Sequence, residues 1–248
     1  MKTISETAHA HNVQQFEQLT AMLSAYEISF KSKKTLITNQ VLEKLKADAK
    51  EATHIIDLLL TYYCSQLAKR EDAYAAISNL ADACIASVSS IPLPRILVRP
   101  CIALAQQLSD FEVISPDKLA YYTVEVKETG KNLLEIDKMN YKYSKAADDF
   151  FRLIQQLERI VALGEKGLSS QIAACKETHL HLLAVNKSLN ETREKIIRAR
   201  SGRSNILYAS NMGIVDVAHD TKVYIKNSYG AHSNEWQKVS AIDFRRMK

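Results

Sequence analysis

The sequence predicts an all-α protein, built as an elongated bundle of long antiparallel helices with coiled-coil-like seams. The first observation is composition, since the 248 residues include 6 glycines and 4 prolines, too few for the many tight turns of a β-sandwich or barrel. The second is periodicity, because apolar residues recur at alternating steps of three and four along the chain. Such spacing is typical of helices that bury a narrow apolar seam against a neighbour. We expect five to six helices.

Residues 1–91 predict a helical hairpin region, since they contain neither proline nor glycine. The first apolar run has 3-4-3-4 spacing and comprises Phe16, Leu19, Leu23, Tyr26 and Phe30. The second run extends from Leu42 to Val88 and contains one extra four-residue step, from Tyr63 to Leu67. This step is a stutter, which locally relaxes a left-handed supercoil.

Residues 91–116 predict an irregular, proline-rich crossover. All four prolines lie between Pro92 and Pro116. Each proline disfavours the α region for the residue before it, so the segment is expected to be extended. Because it is also apolar, we expect it to lie against the helices.

Residues 117–208 predict a long helical hairpin. Its first run keeps strict 3-4 spacing from Leu119 to Val161 and passes through Gly130 in phase. We therefore expect one continuous helix over 117–163, about 70 Å long at ~1.5 Å per residue, with a weak point at the glycine. A second run with the same spacing follows it.

The second run of this hairpin carries a polar residue at every seventh position: His179, Asn186, Arg193 and Arg200. In one interpretation they form buried polar layers that fix the register of the helices or the choice of partner. In the other, the helix is rotated so that Leu183, Val185 and Ile197 share the buried face and the polar residues lie at its edge. The pattern favours the second interpretation and leaves both open.

Residues 213–248 predict a short helix and a docking tail. Ile214–Tyr229 has apolar residues on one face, and Gly230 suits a helix C-cap. The tail carries four apolar side chains that need a surface to pack on: Trp236, Val239, Ile242 and Phe244. They dock either on this chain's own bundle or on a partner chain. Together with the hairpins and the crossover, this predicts a single elongated helical domain over 1–248.

No motif points to catalysis, a cofactor or a metal. The P-loop, the Rossmann glycine pattern, G-x-S-x-G and H-E-x-x-H are all missing from the sequence. Glu51 and His54 form one E-x-x-H pair, but a di-iron site needs a second copy and further carboxylates. We therefore assign no catalytic, cofactor-binding or metal-binding residue and expect no cofactor.

Charge and cysteine usage indicate the setting. The net charge of +5 is a mild excess that falls in the second half of the chain. Six basic residues lie between Lys187 and Arg203 with no aromatic residue among them to stack on bases, so nucleic acid is a disfavoured partner and a membrane surface is an open but less favoured one. The four cysteines form no C-x-x-C pair, and the chain begins with no signal-peptide pattern, which favours reduced thiols in the cytoplasm.

The C-terminal stretch is the most distinctive part of the sequence. It contains Leu-Tyr at 207–208, Gly-Ile-Val-Asp at 213–216, Asp-Thr-Lys at 220–222, Tyr-Ile-Lys at 224–226 and Tyr-Gly-Ala at 229–231. This order resembles a family of uncharacterised helical-bundle proteins common in Bacteroidetes. The resemblance implies a bacterial cytoplasmic setting and carries over no activity and no catalytic residue. Residues 234–236 depart from the family's Pro-Gln-Tyr, so the local turn is expected to differ there.

We expect a non-enzymatic helical-bundle protein that acts through protein–protein interaction or self-assembly, its partner being another protein or a second copy. Eight residues are candidates for partner contact or helix register: His179, Asn186, Arg193, Arg200, Arg203, Tyr208, Trp236 and Phe244. One alternative is a membrane-active bundle that rearranges as some pore-forming toxins do, which the long helices and the basic second half indicate. The other is an enzyme with no recognisable motif.

Overall fold

Helices make up most of the chain that the structure describes. The structure is a computed structural model, and it describes residues 6–26, 38–115, 118, 133–164 and 166–245. The α-helices in these ranges are α1 (Glu6–Ala25), α2 (Asn39–Ser89), α3 (Arg95–Ser109), α4 (Leu133–Ala162), α5 (Ser169–Tyr208), α6 (Ile214–Tyr229) and α7 (Asn234–Ser240). A 3-10 turn, Lys166–Leu168, precedes α5, and the described ranges contain no β-strand. The predicted all-α class is confirmed.

The described residues form two compact units. The first contains the described residues of 6–61 and 194–245, and the second contains those of 62–115, 118 and 133–193. The first unit therefore holds α1, α6, α7 and parts of α2 and α5, while the second holds α3, α4 and the rest of the two long helices. The single elongated domain and the antiparallel arrangement of the hairpins stay predictions.

Helix α2 follows the predicted apolar seam over its 51 residues. Two series of residues spaced by seven lie along it, and every member is at most 1% exposed: Leu42, Ala49, Ile56 and Tyr63, then Leu67, Tyr74, Ala81 and Val88. The step between the two series is the predicted four-residue stutter. The seam is buried on both sides of it because an added four-residue step keeps the next series close to the same face of the helix.

The predicted irregular crossover over 91–116 is wrong for its central part, which is helix α3. Four residues at helical spacing make the inner face of α3 and are all buried: Val98, Cys101, Ala105 and Leu108. Pro100 lies inside the helix but is exposed, so its ring lies on the outer face. Burying such a face contributes more than the ~3 kcal/mol that an internal proline costs.

Helices α3 and α7 bring the described ranges to seven helices, against the five to six expected.

Helix α6 has the predicted bounds, Ile214–Tyr229, and a glycine at each end. At Gly213 an added Cβ would lie 2.6 Å from the backbone nitrogen of Ala209, so the close approach of the chain excludes a side chain there. At the other end Gly230 has a φ of 90°, and its N–H donates to the Lys226 carbonyl at 3.0 Å. This is the predicted glycine C-cap.

Helix α4 is described from Leu133 to Ala162. The predicted continuous helix over 117–163 passes through Gly130, which lies outside the described residues, so its continuity there stays a prediction.

The core of the first unit joins α1, α2, α5, α6 and the tail. It includes the buried residues Phe16, Leu19, Leu23, Leu42, Ala49, Leu207, Ile214, Ala218, Ile225, Val239 and Ile242. Since Val239 and Ile242 belong to the C-terminal segment, the tail packs on this chain's own helices, the first of the two docking modes predicted for it.

Three of the four cysteine thiols lie in the interior of the second unit. Cys84, Cys101 and Cys175 are at most 1% exposed, whereas Cys64 is half-buried. The Cys84 and Cys175 sulfur atoms lie 4.0 Å apart, without a disulfide. Burial raises the pKa of Cys101 to about 12, and the neighbouring Cys175 adds to this effect.

These positions predict that a thiol reagent distinguishes the cysteines. In the native protein, Ellman's reagent should react first with Cys64, because the other thiols are excluded from solvent and a thiol with a raised pKa forms little thiolate. A Cys64→Ser variant should lose the fast phase, and guanidinium should release all thiols in both proteins. Fast native reaction of three or four thiols would contradict the described burial.

Candidate partner-binding site

Four of the eight predicted residues lie together in the first unit, where α5 meets α1 and the tail. Arg200 and Arg203 are one turn apart on α5, Tyr208 ends that helix, and Phe244 lies in the tail. All four are partly or fully buried. The partners of the three α5 residues lie on one face of α1 and are Glu6, His9 and Asn12.

Two arginines of α5 hold the carboxylate of Glu6. Arg203 Nη1 lies 2.5 Å from Glu6 Oε2, and Arg200 Nε lies 3.1 Å from Oε1. Burial alone would raise the pKa of Glu6, but the hydrogen bond from Arg203 and the charges of both guanidinium groups bring it below its usual value. Glu6 is therefore ionised at neutral pH, and α1 is tied to α5 by charge as well as by apolar packing.

His9 forms the next contact, one turn along α1. Its side chain is 6% exposed, and its Nδ1 lies 3.0 Å from the Tyr208 hydroxyl. Burial and the positive charge of Arg203 lower the pKa of His9 to about 4, so the ring is neutral at pH 7. The hydroxyl also accepts a hydrogen bond from Asn12 Nδ2 at 3.1 Å, which leaves its own proton to be donated to His9 Nδ1.

Asn12 connects this network to the tail. It is fully buried, and its amide pairs with the backbone of Arg245 in both directions. The Arg245 N–H donates to Asn12 Oδ1 at 2.8 Å, and Asn12 Nδ2 donates to the Arg245 carbonyl at 2.8 Å. This pairing fixes the orientation of the amide and does not involve the Arg245 side chain, which is exposed.

The side chains of the tail alternate between the core and solvent. Ile242 is buried and Phe244 is half-buried against the core, whereas Asp243 and Arg245 are exposed. Lys222 of α6 donates to the Ile242 carbonyl, and its ammonium lies 5.8 Å from the centre of the Phe244 ring. We call His9, Asn12, Tyr208 and Lys222 the tail cradle, and residues 241–245 the tail segment. Backbone hydrogen bonds combined with alternating apolar side chains are the usual means of binding an extended peptide.

Trp236 lies outside the cradle, on the short helix α7. Its backbone N–H donates to the Ser233 hydroxyl at 3.1 Å, which caps the helix. The Lys226 ammonium lies 5.5 Å from the centre of its half-buried ring. Trp236 thus fixes α7 on α6 and makes no contact with the tail cradle among those described.

The other three predicted residues belong to the second unit. The half-buried His179 ring stacks on Phe151 at 5.1 Å, and Arg193 is also half-buried. Asn186 Nδ2 donates to the Tyr74 hydroxyl at 2.7 Å, within a polar interior.

The orientation of α5 settles part of the choice between the two interpretations of its polar positions. Leu183 and Ile197 are 43% and 45% exposed, so the rotation that would have buried them is wrong, although Val185 is buried. The four polar positions, His179, Asn186, Arg193 and Arg200, are all half-buried, so they do lie at the edge of the buried face, as that interpretation placed them.

Sequence reasoning missed His9, Asn12 and Lys222. The sequence contains a signal for two of them. If the 3-4 spacing of the first apolar run is continued from Phe16 toward the N-terminus, it reaches Asn12 and then His9. These polar residues occupy seam positions of α1 and would have extended the first apolar run. Lys222 has no comparable signal, because its role depends on where the tail lies.

The described part of the chain contains no group of three or more His, Cys, Asp or Glu residues that could hold a metal ion. None of its helices combines the length and the hydropathy required to cross a membrane. Comparisons with protein-family models, curated proteins and solved structures found no match to this chain. The resemblance to the Bacteroidetes family therefore stays a prediction.

The neutral state of buried His9 predicts a pH dependence of stability. As the pH falls from about 6.5 toward 4, the unfolded chain binds a proton that the folded chain does not, so stability should fall by up to ~1.4 kcal/mol per pH unit. Denaturant unfolding at pH 7, 6 and 5 measures this. His9→Gln should flatten the slope, while His219→Gln, at an exposed position, should keep it. Equal slopes for the wild type and His9→Gln would contradict the assignment.

Proposed function

We propose that this chain is a non-enzymatic, cytoplasmic bacterial protein that works through protein–protein interaction, and that a second copy binds through the tail cradle. In this proposal α7 and the tail segment of one copy enter the cradle of another. The observation that carries the proposal is the two-way hydrogen bonding of Asn12 to the backbone of Arg245. A side chain that recognises backbone accepts an extended segment supplied either by the same chain or by another.

The chemistry of the cradle supports this occupant. Ile242 and Phe244 match the apolar core, and Lys222 satisfies the Ile242 carbonyl. The tail segment of a second copy presents the same groups in the same order, so it would fit without any new contact. Residues 230–233, which join α6 to α7, include Gly230 at a φ of 90° and are largely exposed, so they offer a hinge for exchange.

Competition with the chain's own tail sets the conditions of the test. A segment tethered by a short linker has an effective concentration in the millimolar range. Free peptide should therefore bind poorly to the wild type and well to a chain whose own tail has been weakened. An Ile242→Ala/Phe244→Ala double variant provides that chain, because it removes the apolar contacts of the tail and leaves the cradle residues unchanged.

The predicted outcome is a gain of peptide binding. Fluorescence anisotropy of a fluorescein-labelled peptide of residues 234–245 measures this binding. The peptide should bind the full-length double variant, and its affinity for the wild type should be at least tenfold lower. Adding Asn12→Ala to the double variant should weaken binding about 30-fold, since two hydrogen bonds of ~1 kcal/mol each are lost. Gln18→Ala, at an exposed position of the same helix, is the matched control and should have no effect.

Circular dichroism and the melting temperature of each variant show whether it is folded. Absence of peptide binding to a folded double variant would overturn the proposed cradle function, and so would equal binding with and without Asn12. Light scattering of the wild type over a range of concentrations gives the mass. A concentration-dependent dimer that the double variant lacks is expected, and a strict monomer at millimolar concentration would overturn self-association.

A further inference from the structure

The second unit contains a groove between the C-terminal end of α2 and helix α3. Its volume is about 660 Å³, within the range typical of ligand sites. Its wall has an aliphatic part and a polar part. The aliphatic part is formed by Val88, Ile91, Leu93, Val98, Ile102 and Ala103, and the polar part by Ser89, Gln106 and two arginines. We call it the α2–α3 groove.

Two arginines lie at this groove, one helical turn apart. Arg95 and Arg99 are exposed residues on the same side of α3, and both line the groove. In the described part of the chain neither guanidinium group has a hydrogen-bond or ion-pair partner, and no described groove residue is acidic. The sequence of α3 itself also contains no Asp or Glu.

Capping of α2 does not account for these arginines. A positive side chain near a helix C-terminus often satisfies the last carbonyl groups. Here the carbonyls of Ser87 and Val88 already accept hydrogen bonds from the N–H groups of Ser90 and Ile91, each at 3.3 Å. Within the described part of the chain, no hydrogen-bond or ion-pair partner therefore competes with an external anion for the two guanidinium groups.

We propose that the α2–α3 groove binds a free, single-chain anionic amphiphile, such as an alkyl carboxylate. Its head group pairs with Arg95 and Arg99, and its hydrocarbon chain lies along the aliphatic part of the wall. Guanidinium groups bind carboxylates through paired, charge-assisted hydrogen bonds. A hydrocarbon chain suits the aliphatic part of the wall, because contact between the two removes apolar surface from water on both sides.

The groove belongs to the second unit and shares no residue with the tail cradle. Its binding can therefore be tested without reference to the proposed function, and either proposal can fail alone.

Isothermal titration of the full-length protein with dodecanoate, below its micelle-forming concentration, tests the proposal. One molecule should bind per chain. Arg95→Gln and Arg99→Gln should each weaken binding at least tenfold, whereas Arg159→Gln, an exposed arginine of α4, should not. Ile102→Glu should abolish binding by placing a negative charge on the aliphatic part of the wall. All four positions are at least partly exposed, so the variants are expected to fold, and circular dichroism checks this.

Ligand controls separate the contributions of head group and chain. Dodecyl glucoside has the same hydrocarbon chain without the charge, and acetate has the charge without the chain. Both should bind at least tenfold more weakly than dodecanoate. Equal binding to the glucoside, unchanged binding in the arginine variants, or binding seen with micelles alone would overturn the proposal. Binding to vesicles containing anionic lipid, without binding of free dodecanoate, would also overturn it in favour of a membrane surface.

Discussion

Burial of polar groups on helix α5 is the constraint on which the first unit depends. Arg203 is 3% exposed, and a guanidinium group taken out of water needs an ionic partner. Glu6 of α1 supplies it, and α1 must therefore lie where that carboxylate meets both Arg203 and Arg200. One turn further along α1, His9 meets Tyr208, and one more turn brings Asn12 to the tail. The ion pairs of one carboxylate, that of Glu6, thus fix the positions of a row of contacts that ends at Arg245.

These polar contacts set the register of α1 against α5 more than they add to the free energy of unfolding. Replacing a buried ion pair by apolar residues is often neutral or stabilising, because desolvation offsets much of the electrostatic attraction. A seam of apolar residues alone, however, tolerates sliding by one heptad. Glu6 pairs with two arginines of α5, and His9 and Asn12 both contact Tyr208, so a shift of α1 along α5 would break all of these contacts at once. The polar residues therefore select one arrangement of helices that the apolar residues make compact.

The sequence predicted what depends on local periodicity and missed what depends on tertiary position. The seam of α2, its stutter and the bounds of α6 follow from apolar spacing and glycine, and all are present in the structure. Helix α3 was missed because the four prolines outweighed a less obvious 3-4-3 pattern that begins at Val98. His9 and Asn12 were missed because polar residues were not counted as seam members. The docking surface of the tail could not be derived at all, since several apolar faces would accept Ile242 and Phe244.

Occupation of the cradle by the chain's own tail changes what any partner measurement can show. A competing segment binds only those cradles that the chain's own tail has left open. Its apparent affinity is therefore the intrinsic affinity multiplied by the fraction of open cradles. Conditions that release the tail raise that fraction, whereas conditions that loosen α1 damage the cradle itself. Protonation of His9 belongs to the second kind, because it places a charge beside Arg203 and removes the acceptor of Tyr208. Binding of an added tail peptide should therefore be strongest near neutral pH in a chain whose own tail has lost its apolar contacts, and acidification should weaken that binding.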